Sequence, residues 1–111
     1  MRSDVMRQEV PRVELKRVIA AIKKFGKNRN TGFAYIYVDN KQFVIEFGSV
    51  RGRFPVSGNW TGYLQMKVQL LLRAETDVST DSTAVFTFEG ETLAIDGMAV
   101  ARCVWKASKP T

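Results

Sequence analysis

The chain has 111 residues, 45% of them apolar and 25% charged, as expected of one globular domain spanning 1–111 that buries its own core. Lys and Arg number 17 against 11 Asp and Glu, a formal charge of +6, and there is no histidine and one cysteine, Cys103. Those counts exclude His-based acid–base and nucleophile chemistry, His-containing zinc sites, thiolate metal centres and an internal disulfide.

Residues 5–10 read as a short leading strand. Residues 11–25 read as a helix, because Leu15, Val18, Ile19, Ile22 and Phe25 recur at helical spacing and form one apolar stripe. Pro11 suits the first helical turn, Glu14 the positive helix start, Lys23 and Lys24 the last turn, and Gly26 the stop. A polar basic loop follows over 27–31. Residues 33–38 and 42–47 are rich in aromatic and β-branched side chains and flank Asp39-Asn40-Lys41, so they read as a hairpin. Strands are expected over 50–56, where Pro55 marks an edge or an end, and over 60–66.

Residues 67–75 fit two readings. Leu64, Met66, Val68, Leu70 and Leu72 alternate as in a strand, whereas Val68, Leu71, Leu72 and Glu75 also fit a short helix built from good helix formers. After a polar loop over 77–82 come strands at 83–88 and 92–95. Asp96-Gly97 then turns the chain into a last strand over 98–105. No tandem repeat and no parallel βαβ pattern is visible. The expected fold is α+β, an antiparallel sheet with one or two helices on one face.

This order resembles one domain of a DNA sliding clamp. The residues that carry the resemblance are the helix Val13-Glu14-Leu15-Lys16-Arg17-Val18-Ile19-Ala20-Ala21-Ile22 and the hairpin Tyr35-Ile36-Tyr37-Val38-Asp39-Asn40-Lys41-Gln42-Phe43-Val44-Ile45. They continue with Val68-Gln69-Leu70-Leu71-Leu72 and the closing hairpin Thr83-Ala84-Val85-Phe86-Thr87-Phe88-Glu89-Gly90-Glu91-Thr92-Leu93-Ala94-Ile95. The resemblance implies helices that face DNA, sheets on the outside, and domains that join edge to edge, hence a homo-oligomer for a chain holding one domain. Known clamps join two or three such domains in one chain, so a clamp's work as a polymerase tether is not implied.

The basic side of the first helix is the main functional signal. At about 100° per residue, Arg12, Lys16, Lys23 and Lys27 fall within roughly 60° of one another beside the apolar stripe, with Arg17 and Lys24 further round. Such a row can follow phosphates without reading bases, and the competing reading is a solvated helix face. Arg51 and Arg53 share one strand face and either extend this surface or protect a sheet edge. Phe33, Tyr35 and Tyr37 share one strand face and Phe43, Ile45 and Phe47 another. Core packing explains such aromatics, and an outward set would offer stacking surfaces for single-stranded bases. Trp60 reads as ordinary packing or an interface anchor, and Cys103 as a buried, inert thiol.

No Walker loop, dinucleotide fingerprint or calcium loop is present, so neither an enzyme nor a bound cofactor is expected. No apolar run approaches the roughly 20 residues of a membrane span. No secretory signal is visible, and a cytoplasmic location is expected. The leading expectation is a non-enzymatic module that contacts nucleic acid through phosphates. The alternative is a protein-interaction module, such as an adaptor, inhibitor or immunity protein, that binds an acidic partner.

Overall fold

A computed structural model describes residues 5–26, 31–74 and 81–107. Strand β1 (Met6–Pro11) runs directly into helix α1 (Arg12–Phe25). Pro11 therefore closes the strand, and its φ of −56° leads into the first helical turn. Strands β2 (Phe33–Asp39), β3 (Gln42–Phe47) and β4 (Val50–Pro55) form a meander. Strand β5 (Tyr63–Lys67) is followed at once by helix α2 (Val68–Leu72), so the ambiguous stretch is a short helix with Val68 and Leu71 buried. A second meander comprises β6 (Thr83–Glu89), β7 (Thr92–Ile95) and β8 (Met98–Arg102).

The last expected strand is two strands. Cys103 donates its backbone N–H to the Glu91 carbonyl at 2.8 Å and so still belongs to the second meander. One residue later the chain leaves for the other sheet, where β9 (Val104–Lys106) pairs with β5. Alternating side chains made 98–105 look continuous, because a change of sheet leaves no mark on local periodicity.

The fold is α+β with antiparallel pairing throughout, and its strands form two sheets, ordered β1-β6-β7-β8 and β4-β3-β2-β5-β9. The order reveals an internal duplication that the sequence does not display. The run β1-α1-β2-β3-β4 is repeated as β5-α2-β6-β7-β8, and each run lends its first strand to the other's meander. After each meander the chain returns along the outer edge of the lent strand. Strand β9 lies along β5, and residues 56–60 lie along β1, where Arg7 and Glu9 donate their backbone N–H groups to Asn59 Oδ1 and Ser57 Oγ, both at 2.8 Å. The outer edges of both lent strands are thus covered. The opposite edges, at β4 and β8, carry no strand partner among the described residues.

One continuous core lies between the inner faces of the sheets and the helices. Phe43 stands at its centre, with Phe86 and Trp60 edge-on at 5.7 and 5.1 Å between ring centroids. Helix α1 presents Leu15, Ile19 and Ile22 to this core and packs against β4 and β1, while α2 packs against β5 and β8 and touches α1. Gly52 allows the approach of α1, since a Cβ there would lie 2.4 Å from Val18 Cγ2. Trp60 is buried with the core, so it is not an interface anchor.

Candidate functional site

Helix α1 divides the four expected phosphate contacts. Arg12 is a correction: it is buried, with a relative exposure of 6%. Its position two turns before Ile19, at the margin of the core side where the helix meets the second meander, lets the side chain turn inward. The guanidinium donates from Nε to the Asp81 carbonyl at 2.6 Å, from Nη2 to the Thr83 carbonyl at 2.9 Å, and from Nη1 to Asp96 Oδ2 at 2.8 Å. Burial would raise the Asp96 carboxyl, but the Arg12 hydrogen bond and charge and the Val85 N–H together hold it below its ordinary value. Arg12 therefore pins the start of α1 to the β7–β8 turn, and its charge is consumed in the fold.

Lys16 and Lys23 are exposed, about 20° apart on the helix surface and roughly 10 Å apart along its axis. Lys27 lies outside the described residues. The solvent side of α1 carries two further exposed cations, Arg17 and Lys24, with exposed Ala20 between them. Arg17 pairs with Glu14 at 3.0 Å, and the Lys24 ammonium lies 5.3 Å from the Phe25 ring centroid. The cationic surface of α1 is thus Lys16, Arg17, Lys23 and Lys24, against one carboxylate on the helix. It is centred further from the core than the row that includes Arg12.

A second surface is the outer face of the five-stranded sheet. Strand register sets Arg53, Val44, Tyr37, Tyr63 and Lys106 in one row, and Arg51, Glu46, Tyr35, Gln65 and Val104 in the next. Phe33 and Lys67 face each other beyond them. The outward aromatic set is therefore Phe33, Tyr35 and Tyr37, while Phe43, Ile45 and Phe47 are inside. Tyr63 stacks on Tyr37 with centroids 4.9 Å apart and lies 5.3 Å from Tyr35. The Tyr37 hydroxyl donates to Glu46 Oε1, which also accepts from Arg51 Nε at 3.1 Å. Burial, together with this bond to Glu46, pushes the Tyr37 phenol up to about 12.

The four-stranded sheet is different on its outer face. Thr83, Val85, Thr87, Thr92, Ala94 and Glu89 occupy it, with Arg7 paired to Glu9 and Arg102 to Glu91. Sequence alternation placed the two aromatic sets on opposite faces of their strands, but which face met the core was a question of sheet packing.

Trp105 was not singled out by the sequence. Its indole is 46% exposed at the seam between the sheets, and its Nε1 donates to the Thr61 carbonyl at 3.0 Å. Gly62, at φ +82°, leaves the space, since a Cβ there would lie 2.3 Å from that nitrogen. Open clefts of about 530 and 460 Å³ flank the ring, with Phe88 and Gly90 common to both. Among the described residues, no three His, Cys, Asp or Glu side chains gather to hold a metal ion. None of the described helices is long and apolar enough to cross a membrane.

No protein-family model, curated protein or solved structure matches the chain.

Proposed function

We propose that the chain is a non-enzymatic, clamp-like module that associates with nucleic acid through phosphates, without reading sequence. The observation that carries this reading is the solvent side of α1, where Lys16, Arg17, Lys23 and Lys24 stand exposed on a helix whose one carboxylate is Glu14. Exposed cations in this arrangement release counterions from a polyphosphate and bind it independently of base identity. The order strand, helix, strands, helix, strands supports the clamp-like part of the reading. The β4 and β8 edges, equivalent in the internal duplication, are the surfaces through which copies would join into a homo-oligomer.

The test is titration of fluorescent random duplex DNA with wild type and a Lys16→Ala/Lys23→Ala/Lys24→Ala variant at several salt concentrations. Wild type should show a steep log–log salt dependence, and the variant's slope should shrink by roughly three units, one for each lost contact. Stability should barely change, because exposed charges contribute little. Absence of duplex binding by wild type at low salt rejects the reading, and equal slopes reject α1 as the contact.

Trp105 supports a second reading, a protein-interaction module. An exposed indole fixed by one hydrogen bond and bordered by two clefts suits an interface anchor. Trp105→Ala would then abolish capture of a saturable acidic protein partner and leave duplex binding unchanged.

A further inference from the structure

Four aromatic side chains on the solvent side of a sheet are unusual, because such rings ordinarily supply core. Here the core is already filled from the other face by Phe43, Ile45 and Phe47. The outward tyrosines form a separate layer, in which Tyr37 and Tyr63 are 4% and 5% exposed and stack on each other. They act as the floor. Phe33, 44% exposed, and Tyr35, half-buried against Tyr63, are the rings that solvent reaches. Their positions, two residues apart on one strand, separate them by roughly 6.6 Å. That leaves room for two neighbouring, unstacked bases.

The border of this layer is cationic. Arg53 and Lys106 end the Tyr37–Tyr63 row, Lys67 faces Phe33, and Arg51 ends the Tyr35 row. Two carboxylates share this face: Glu46, engaged by the Tyr37 hydroxyl and by Arg51, and exposed Asp39, at the far end of β2 from Phe33 and beyond the Tyr37 row. Gln65, directly across from Tyr35, adds an amide that can both donate to and accept from a base edge. Stacking rings bordered by cations are what a single strand requires, since its bases need π-faces and its phosphates need positive charge. A duplex hides its bases, and an acidic protein has no use for two stacking positions. The other sheet, with its threonines and balanced charges, has neither feature.

We infer that the outer face of the five-stranded sheet is a binding site for single-stranded nucleic acid, with bases stacked on Phe33 and Tyr35 and phosphates met by Arg53, Lys67 and Lys106. The site is separate from the α1 surface and does not depend on it.

The experiment measures fluorescence anisotropy of a labelled ten-nucleotide oligothymidylate and of an abasic deoxyribose-phosphate oligomer of the same length. Wild type, Phe33→Ala/Tyr35→Ala, Arg53→Ala/Lys67→Ala and Lys16→Ala/Lys23→Ala/Lys24→Ala are compared, each checked for an unchanged thermal transition. Wild type should bind oligothymidylate at least ten-fold more tightly than the abasic oligomer. The aromatic variant should lose ten-fold or more on oligothymidylate and little on the abasic oligomer. The Arg53/Lys67 variant should weaken both, and the helix variant should change oligothymidylate binding by less than two-fold. Equal wild-type affinity for the two oligomers overturns the proposal in favour of simple charge attraction. Undiminished binding by the aromatic variant, or no oligothymidylate binding at low salt, also overturns it, and the latter leaves the face to a protein partner. If the aromatic variant unfolds, the Arg53/Lys67 variant and the abasic comparison decide. Failure of duplex binding through α1 would be seen separately, in the duplex titration.

Discussion

Replacing Asp96 by Asn asks whether Arg12 belongs to the fold or to a ligand surface. Asn suits the position, since residue 96 has φ +53° and Asn tolerates the left-handed region. The change removes the charge that faces the Arg12 guanidinium at 2.8 Å, where the side chains are only 7% and 11% exposed. Breaking a buried pair from one side typically costs about 3–5 kcal/mol. Two of the guanidinium's hydrogen bonds run to the Asp81 and Thr83 carbonyls and survive. Those two bonds moderate the cost, but the Asn carbonyl can accept from only one of the two donors the carboxylate now serves, Arg12 Nη1 or the Val85 N–H, so a loss of about 2–4 kcal/mol is expected. In a domain of this size that is a fall of roughly 8–16 °C in Tm, measurable by calorimetry or by circular dichroism in urea. Arg12→Met should cost a similar amount. The double variant should lose less than the sum, because no uncompensated charge remains.

The pH profile gives an independent readout. Asp96 is depressed below its ordinary value of 3.8 in the folded state, so its contribution is complete above that pH and is lost as pH falls through the folded value. Asp96→Asn should therefore narrow the stability gap to wild type at acid pH. A loss below about 0.5 kcal/mol at pH 7, with an unchanged acid profile, would refute the structural role of Arg12, since exposed pairs contribute that little.

Ile22→Ala, at a fully buried position on the core side of α1, should cost about 2–4 kcal/mol in urea unfolding, and a loss under about 0.5 kcal/mol would mean that this side of the helix is not packed. Gly52→Val should displace α1 from β4, because even a Cβ would overlap Val18; a destabilisation of at least about 1–3 kcal/mol is expected, and Val18→Ala in the same chain should restore part of it. Burial pushes the Cys103 thiol up to about 11, so the folded protein should resist thiol reagents at pH 8 and react at the rate of unfolding. That same shift makes the folded state lose stability as pH rises from the ordinary value of 9.0 toward 11, a trend that Cys103→Ala should remove.

What the sequence determined by itself was local. The span of α1 follows from a stripe of period 3.6, and the hairpins follow from turn chemistry. Asn40 and Lys41 adopt positive φ in the first hairpin, as do Asp96 and Gly97 in the last. The α+β class follows from those elements, and so does the grouping of Phe33, Tyr35 and Tyr37 apart from Phe43, Ile45 and Phe47.

Tertiary structure decided everything that depends on pairing across the chain. The lending of β1 to β6 and of β5 to β2 joins residues some 80 and 30 positions apart, as in Met6 with Phe88 and Phe33 with Lys67, and no local signal encodes such a choice. The break at Cys103 has the same cause, since β9 is a strand only because β5 offers an edge. Arg12 lies at the margin of the apolar stripe, between the directions of buried Ile19 and exposed Lys16 and Lys23, so its spacing does not choose a side; it is buried because Asp96, 84 residues away, is folded against it. Periodicity reports that two faces of an element differ. Only the packing of one sheet against another selects the face that meets water, and that selection placed the tyrosines outside.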